Sequence, residues 1–222
     1  MSTDPAVPEE VPAEPESAAP QRSHRAVEIV AAVILGVAGL LTAYAAYQSS
    51  QADGEALEGY TRSAKTTADA NGYFNEAVAK YSNDQALFLE YALQAEQGNQ
   101  EAADAIRQTL FTPELEAATA AWVETGDDGP PTPLDMDEYV VPAQLEAVRL
   151  TNQAETEFSE AQSADEAGSK FSLAAVFLAV ALFLGGIASL FQNAGVRIAL
   201  LIGAAAFIVP GAVAILGGQA AM

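Results

Sequence analysis

The sequence predicts an all-α membrane protein with three transmembrane helices and a soluble helical insert between the first and second. Half of the 222 residues are apolar. They concentrate in three runs, 26–47, 171–191 and 196–217, each about as long as a helix needs to cross the hydrocarbon of a bilayer. The segment between the first two runs, 48–170, contains 24 acidic and 6 basic residues, which accounts for −18 of the net charge of −21. This acidic segment is the predicted insert.

Residues 1–24 form the first segment, and we expect them to be a disordered, acidic, Pro-rich tail. They contain five prolines and five acidic residues, and they have too little apolar surface to offset the entropy of ordering. The apolar run that follows could belong to a cleaved signal peptide, because Ala43-Tyr44-Ala45 has the small-x-small form of a cleavage site. We expect a retained anchor, because the tail is acidic until Arg22 and Arg25 and because the run is longer than the core of such peptides.

A single helix is predicted from Ala26 to about Gln97, since no turn signal separates the first apolar run from the amphipathic pattern after it. Small residues line one side of the run, where another helix can approach closely. In the insert, residues recur at the alternating steps of three and four that are typical of a coiled-coil seam, and we expect the seam to be the core of the insert. The small residues are Ala32, Gly36, Gly39 and Ala43, and the seam consists of Leu57, Tyr60, Ala64, Thr67, Asn71, Phe74, Val78, Tyr81, Gln85, Phe88, Ala92 and Ala95.

Turn signals divide the rest of the insert. Ser82-Asn83-Asp84 is a plausible first break of the long helix, and Gly98-Asn99 is a second. Thr112 followed by Pro113 predicts the start of a short helix, and the prolines and glycines of 126–142 exclude a regular helix there.

A helical pattern resumes at Ala143 and continues into the second apolar run. The outgoing helix over 48–81 and the returning helix over 143–170 would be about 50 Å and 42 Å long at 1.5 Å per residue. Because these lengths match, we expect an antiparallel stalk. The short helices and the Pro-rich loop would then form a small cap.

Basic residues at the ends of the spans predict the orientation. Arg22 and Arg25 precede the first span and Arg197 begins the third, whereas Lys170 alone touches the second span from the insert side. The positive-inside rule then places the N-terminal tail in the cytoplasm and the insert 48–170 outside it.

The residue types that most catalytic and metal sites require are scarce. The chain has no cysteine and one histidine, His24, so neither a thiolate site nor a histidine-based metal cluster or triad can be assembled. Five acidic residues in the loop 127–138 could hold a calcium ion, but their spacing does not fit the EF-hand pattern, and we expect a solvated loop. We predict no catalytic, cofactor-binding or metal-binding residue, and no cofactor. The strongly negative charge also disfavours nucleic acid as a partner.

Several short motifs suggest a family. They are Arg25-Ala26-Val27-Glu28-Ile29 at the start of the first span, Tyr47-Gln48-Ser49-Ser50-Gln51 at its end, Trp122 before a Pro-rich segment, and Pro133-Leu134-Asp135-Met136-Asp137-Glu138-Tyr139. With the C-terminal pair of spans, they resemble an uncharacterised bacterial family of three-span integral membrane proteins with a helical extracytoplasmic insert. The likeness covers residues 25–217. It implies the three-span topology and a bacterial plasma (inner) membrane, and it implies no activity, substrate or site.

Three classes of function are compatible with these patterns. We expect a non-enzymatic integral membrane protein whose acidic insert docks a second copy of itself or another membrane or envelope protein. The alternative is a small channel or transporter subunit, although three spans seldom enclose a pathway without oligomerisation and no charge lies in the middle of a span. An enzyme is the third class. Only carboxylates could carry its chemistry, and no pair of them is set in an apolar pattern.

Overall fold

The computed structural model describes residues 19–221, with side chains from residue 28 onward except that of Asp127. No strand occurs within this range. The chain is all-helical there, and its helices are α1 Ala19–Glu96, α2 Gln100–Leu110, α3 Pro113–Thr125, α4 Pro142–Ala188 and α5 Ala194–Gln219. Two short 3₁₀ turns, Gly126–Asp128 and Pro133–Asp135, lie between α3 and α4. The predicted all-α class is therefore confirmed.

Three of these helices contain a stretch that is long and apolar enough to cross a membrane, namely α1 from Glu28 onward, α4 and α5.

Some element boundaries differ from the predicted ones. Residues 19–24, which we expected in the disordered tail, belong to α1, and residues 1–18 lie outside the described residues. The turn between α4 and α5 is formed by residues 189–193, and the Asn193 side chain caps α5 by accepting a hydrogen bond from the backbone N–H of Gly195 at 2.9 Å.

The helices divide into two compact units. The central unit is Ala52–Asp165. The terminal unit consists of the described residues up to Gln51 together with those from Glu166 onward. Each unit contains part of α1 and part of α4.

In the central unit, α1 and α4 pack against each other through small side chains. The buried residues of α1 recur at steps of three, four and seven, and we call them the inner seam. The inner seam is Ala52, Ala56, Gly59, Ser63, Thr66, Ala70 and Ala77. The Ser63 hydroxyl donates a hydrogen bond to the carbonyl oxygen of Ala154 at 2.8 Å, and a Cβ atom added to Gly59 would lie 2.8 Å from the Cβ of Ala161. Because later residues of α1 meet earlier residues of α4, the two helices run antiparallel.

The seam predicted from the sequence does not form this contact. We call its residues from Leu57 to Tyr81 the outer seam. Most of them directly follow an inner-seam residue in the sequence, and Phe74 and Tyr81 follow positions at which the spacing of the inner seam continues. An offset of one residue is a rotation of about 100° around the helix. Leu57 is 69 % exposed and Phe74 is 56 % exposed, so the prediction that they form the core of the insert is wrong. The physical reason is that close approach of two helices requires small side chains, and the larger residues beside them remain on the surface.

The same offset occurs in the terminal unit. The buried residues on α1 there are Ala31, Ala38, Ala45 and Ser49. Ala31 and Ala38 each directly precede a member of the predicted small strip. A Cβ atom added to Gly36 would meet no atom within 4 Å. The same holds for Gly39, so among the described residues no helix packs closely on these two glycines.

Other small residues do bring helices together in the terminal unit. A Cβ atom on Gly218 would lie 2.9 Å from the Phe171 ring, and one on Gly211 would lie 3.0 Å from Leu178. The Ser49 hydroxyl, which is within 2.7 Å of the Ser172 hydroxyl, also donates to the carbonyl oxygen of Gly168 at 3.1 Å. Close glycine contacts pack α5 against α4, and serine hydrogen bonds join α1 to α4.

Large apolar side chains collect in the central unit where α1, α3 and the loop after α3 meet. Phe88, Leu115 and Leu134 are buried together. The Trp122 ring meets Phe88 edge-on with centroids 5.6 Å apart, and its Nε1 donates to the carbonyl oxygen of Pro130 at 2.7 Å. This cluster holds the Pro-rich loop against the helices.

Two of the predicted turn signals are confirmed and one is wrong. Thr112 caps α3 by accepting a hydrogen bond from the backbone N–H of Leu115 at 3.3 Å. The long helix ends at Glu96, just before Gly98, whose φ is +78°, a conformation that glycine adopts at little cost. The break predicted at Ser82-Asn83-Asp84 does not occur, because the Asp84 side chain is turned inward to bond with other segments and does not cap a new helix.

The inner seam predicts opposite effects for the same substitution at two glycines of α1. Gly72→Ala should raise the free energy of unfolding by about 0.5–1 kcal/mol, because Gly72 is exposed with no atom near an added Cβ and alanine favours the helix. Gly59→Ala should lower it by about 1–2 kcal/mol, because the new methyl group overlaps Ala161.

Thermal unfolding of the purified full-length chain, followed by circular dichroism, measures both effects. Stabilisation by both substitutions would contradict the close approach at Gly59.

Candidate functional site

Two features of the central unit could carry function. The first is a buried polar cluster around Asp84. The second is a pair of grooves that lie on opposite sides of the contact between α1 and α4.

Asp84 is a fully buried carboxylate on α1. Its Oδ2 accepts hydrogen bonds from the Thr112 hydroxyl at 2.8 Å and from the Tyr139 hydroxyl at 2.9 Å, while its Oδ1 has no partner within the described residues. Thr112 is the N-cap of α3 and Tyr139 lies just before α4. One carboxylate therefore joins three segments of the chain.

Ion pairs surround this cluster. Lys80 on α1 lies 2.9 Å from Glu114 on α3, and the Lys80 hydrogen bond holds the pKa of Glu114 below its usual value. Arg107 on α2 donates to both carboxylate oxygens of Glu116 at 2.9 and 2.8 Å, which lowers the pKa of Glu116 in the same way. The first pair joins α3 to α1, and the second joins α2 to α3.

Tyr139 keeps its proton because of its surroundings. Burial, together with the hydrogen bond to Asp84 and the charge of its carboxylate, raises the pKa of the Tyr139 phenol well above its usual value. A neutral phenol remains a hydrogen-bond donor. Asp84 lines neither groove described below, and its hydrogen bonds hold α1, the start of α3 and the segment before α4 together.

The front groove lies on one side of the contact between α1 and α4. Its walls are Thr67, Asn71 and Phe74 of α1 and Val148, Thr151 and Phe158 of α4, with Ala70 and Ala154 between them. Glu155 is the one charged residue among those that line it. At one end, the Tyr60 and Phe158 rings are in contact, with centroids 5.4 Å apart.

The back groove lies on the other side of the same helices and is acidic. Asp69, Glu76 and Glu146 line it together with Tyr73. Glu146 is paired with Arg149 on the next turn at 2.6 Å. The two grooves therefore differ in charge, and the front groove combines uncharged polar groups with exposed apolar side chains.

The acidic loop 127–138 was considered above as a possible calcium site, and the side chain of one of its acidic residues, Asp127, lies outside the described residues. Among the described residues, no group of three or more His, Cys, Asp and Glu side chains is placed to hold a metal ion. The Asp135 carboxylate accepts a hydrogen bond from the Thr132 hydroxyl at 2.8 Å, which occupies it within its own turn.

Sequence reasoning predicted no functional residue and missed both features. Asp84 could have been found, because it follows Ala70 and Ala77 at steps of seven and thus falls on the inner seam. The outer seam was recognised as a pattern, but it was assigned to the interior. The structure places Thr67, Asn71 and Phe74 of the outer seam in the front groove.

Comparison of this chain with protein-family models, with curated proteins and with solved structures gives no match. The resemblance to a bacterial three-span family stays a prediction.

The polar cluster predicts that Tyr139→Phe lowers the free energy of unfolding by about 1.5–3 kcal/mol, since it removes a hydrogen bond to a buried charge. The matched control is Tyr81→Phe. The Tyr81 ring packs edge-on against Tyr139, yet it is 41 % exposed, so this change should have an effect within about 0.5 kcal/mol. Denaturant unfolding of the full-length chain measures both, and equal effects would show that Asp84 does not depend on the Tyr139 hydroxyl.

Proposed function

We propose that this chain is a non-enzymatic integral membrane protein whose acidic helical insert docks a partner through the front groove. The partner is a second copy or another protein of the same membrane or envelope. The observation that carries the proposal is the difference between the grooves: on a strongly acidic segment, apolar side chains are exposed on a face whose groove is lined by a single charged residue, Glu155. Large apolar side chains that share one exposed face mark an interaction site more often than a solvated surface.

Membrane insertion accounts for the exposed apolar residues of the terminal unit. Leu40 is 76 % exposed, Phe183 is 66 % exposed and Ile202 is 65 % exposed. Such side chains on apolar helices are suited to lipid and not to water. We assign the spans to α1, α4 and α5 and, following the resemblance, the membrane to a bacterial plasma (inner) membrane.

The insert 48–170 would then consist of a stalk and a cap. The stalk is the antiparallel pair of α1 and α4, whose contacts at Gly59 and Ser63 support it. The cap is formed by α2, α3 and the Pro-rich loop, which the Asp84 cluster and the Trp122 contacts join to α1. The basic residues at the span ends place the tail in the cytoplasm and the insert outside it.

The orientation predicts the labelling of engineered cysteines, which is simple to read because the chain has none. Asn99→Cys, at an exposed site between α1 and α2, should react with an impermeant maleimide in intact cells. Ala6→Cys in the tail should react only after lysis. The reverse pattern would place the insert in the cytoplasm.

Docking predicts crosslinks from one groove and not the other. A photoreactive residue at Val148, in the front groove, should give discrete crosslinked products in native membranes. The same residue at Tyr73, in the back groove, should give few, because Asp69, Glu76 and Glu146 line that side. Gel electrophoresis and mass spectrometry of the products measure the difference. The docking function is contradicted if Val148 yields no discrete product.

A further inference from the structure

We propose that the partner of the front groove is the front groove of a second copy, so that two pairs of α1 and α4 form a four-helix assembly. This inference rests on the proposed docking function and names its partner. Three observations carry it, namely the distribution of charge, the spacing of the exposed residues and the apolar area.

Charge distinguishes one side of the insert from the rest. This side contains the front groove, and we call it the front face. Of the 123 residues in 48–170, 30 are charged, so thirteen positions would carry about three charges if charges were spread evenly. The thirteen positions of the face carry one, Glu155. They are Leu57, Tyr60, Ala64, Thr67, Asn71, Phe74, Val78 and Tyr81 on α1 and Gln144, Val148, Thr151, Glu155 and Phe158 on α4.

A low charge on this face matters because the chain as a whole carries −21. Two copies that met through the back groove would bring Asp69, Glu76 and Glu146 of each into proximity, which is unfavourable. Two copies that met through the front groove would keep these carboxylates on the outside. A basic partner, in contrast, would gain little from a face with a single carboxylate.

The spacing of the exposed residues also fits a second copy. On both helices the residues of the face recur at steps of three and four, the period at which helices interdigitate side by side. A two-fold axis parallel to the helices keeps both pairs pointing the same way and sets α1 of one copy beside α4 of the other. Each new neighbour is then antiparallel, as α1 and α4 are within one chain, and this is the arrangement of an up-and-down four-helix bundle. Asn71 on the face is a polar group of the kind that fixes register and number of strands.

The apolar area is sufficient for a stable interface. Seven large apolar residues on or beside the face are between 41 % and 69 % exposed: Leu57, Phe74, Val78, Tyr81, Leu145, Val148 and Phe158. If each contributes about 100 Å², the face offers about 700 Å² per copy, near the 800 Å² that each partner buries in a standard interface.

The first test introduces a charge on each side of α1. Phe74→Asp places a carboxylate in the front groove and should raise the dissociation constant of the dimer by about 30-fold or more. Because Phe74 is 56 % exposed in the single chain, the helical content should not change. Tyr73→Asp places the same charge on the neighbouring residue in the back groove and should leave the dimer intact. Sedimentation of the full-length protein in detergent, over a range of concentrations, measures both.

The second test compares how close the two copies come at each groove. Contacts between the copies elsewhere in the chain affect both cysteines equally and do not change the comparison. Asn71→Cys and Gly72→Cys put single cysteines at adjacent residues of the front and back grooves, and Gly72 has room for a side chain. The two α1 helices would face each other diagonally across the bundle, farther apart than a disulfide allows, so the cysteines are linked with a short bifunctional maleimide. In native membranes, Asn71→Cys should then give a covalent dimer at several times the yield of Gly72→Cys. Adding Phe74→Asp should reduce the yield from Asn71→Cys to that of Gly72→Cys.

Each outcome decides the proposal. Equal yields at the two positions, or no dimer at either, would overturn self-association through the front groove. If Val148 then crosslinks to a different protein, the docking function stands and the identity of the partner is wrong. If Val148 gives no product, both proposals fail.

Discussion

The close approach of α1 and α4 is the contact on which the central unit depends. At Gly59 there is no room for a methyl group beside Ala161, and at Ser63 a side-chain hydroxyl reaches the backbone of the facing helix. Small residues give each contact little apolar area, so stability comes from dispersion between closely spaced backbones and from hydrogen bonds. Enlarging one of these residues therefore affects the whole helix pair.

The same constraint explains why the apolar residues of the insert occupy two different environments. Where the helices are closest, leucine, phenylalanine and tyrosine cannot fit between them and lie on the surface beside the contact. Where α3 and the Pro-rich loop add a third layer, Phe88, Leu115 and Leu134 are buried. Asp84 lies at the transition, and its hydrogen bonds to Thr112 and Tyr139 join the two regions.

Much of the fold could be predicted from the sequence, because apolar run length, proline positions and the Thr112 cap depend on local chemistry. The seam was misplaced by one residue because steps of three and four fit two neighbouring stripes, and the stripe with Leu57 and Phe74 is more apolar than the stripe with Ser63 and Thr66. Which of two neighbouring stripes faces the partner helix depends on how near the helices come, and that distance is a tertiary property. Asp84 was misassigned as a helix start because the partners that make its burial tolerable, Thr112 and Tyr139, are distant in sequence.

The division of α1 into inner and outer seams separates two kinds of evolutionary constraint. The inner seam fixes the fold, and almost any larger residue there is harmful. The outer seam begins one residue further on, and its exposed side chains, such as Leu57 and Phe74, can be exchanged with less effect on the helix pair. Under the proposed docking function, a lineage could therefore change the partner by substitutions at positions such as Asn71, Phe74 and Val78. Recognition can diverge in this way while the architecture that presents it is inherited unchanged.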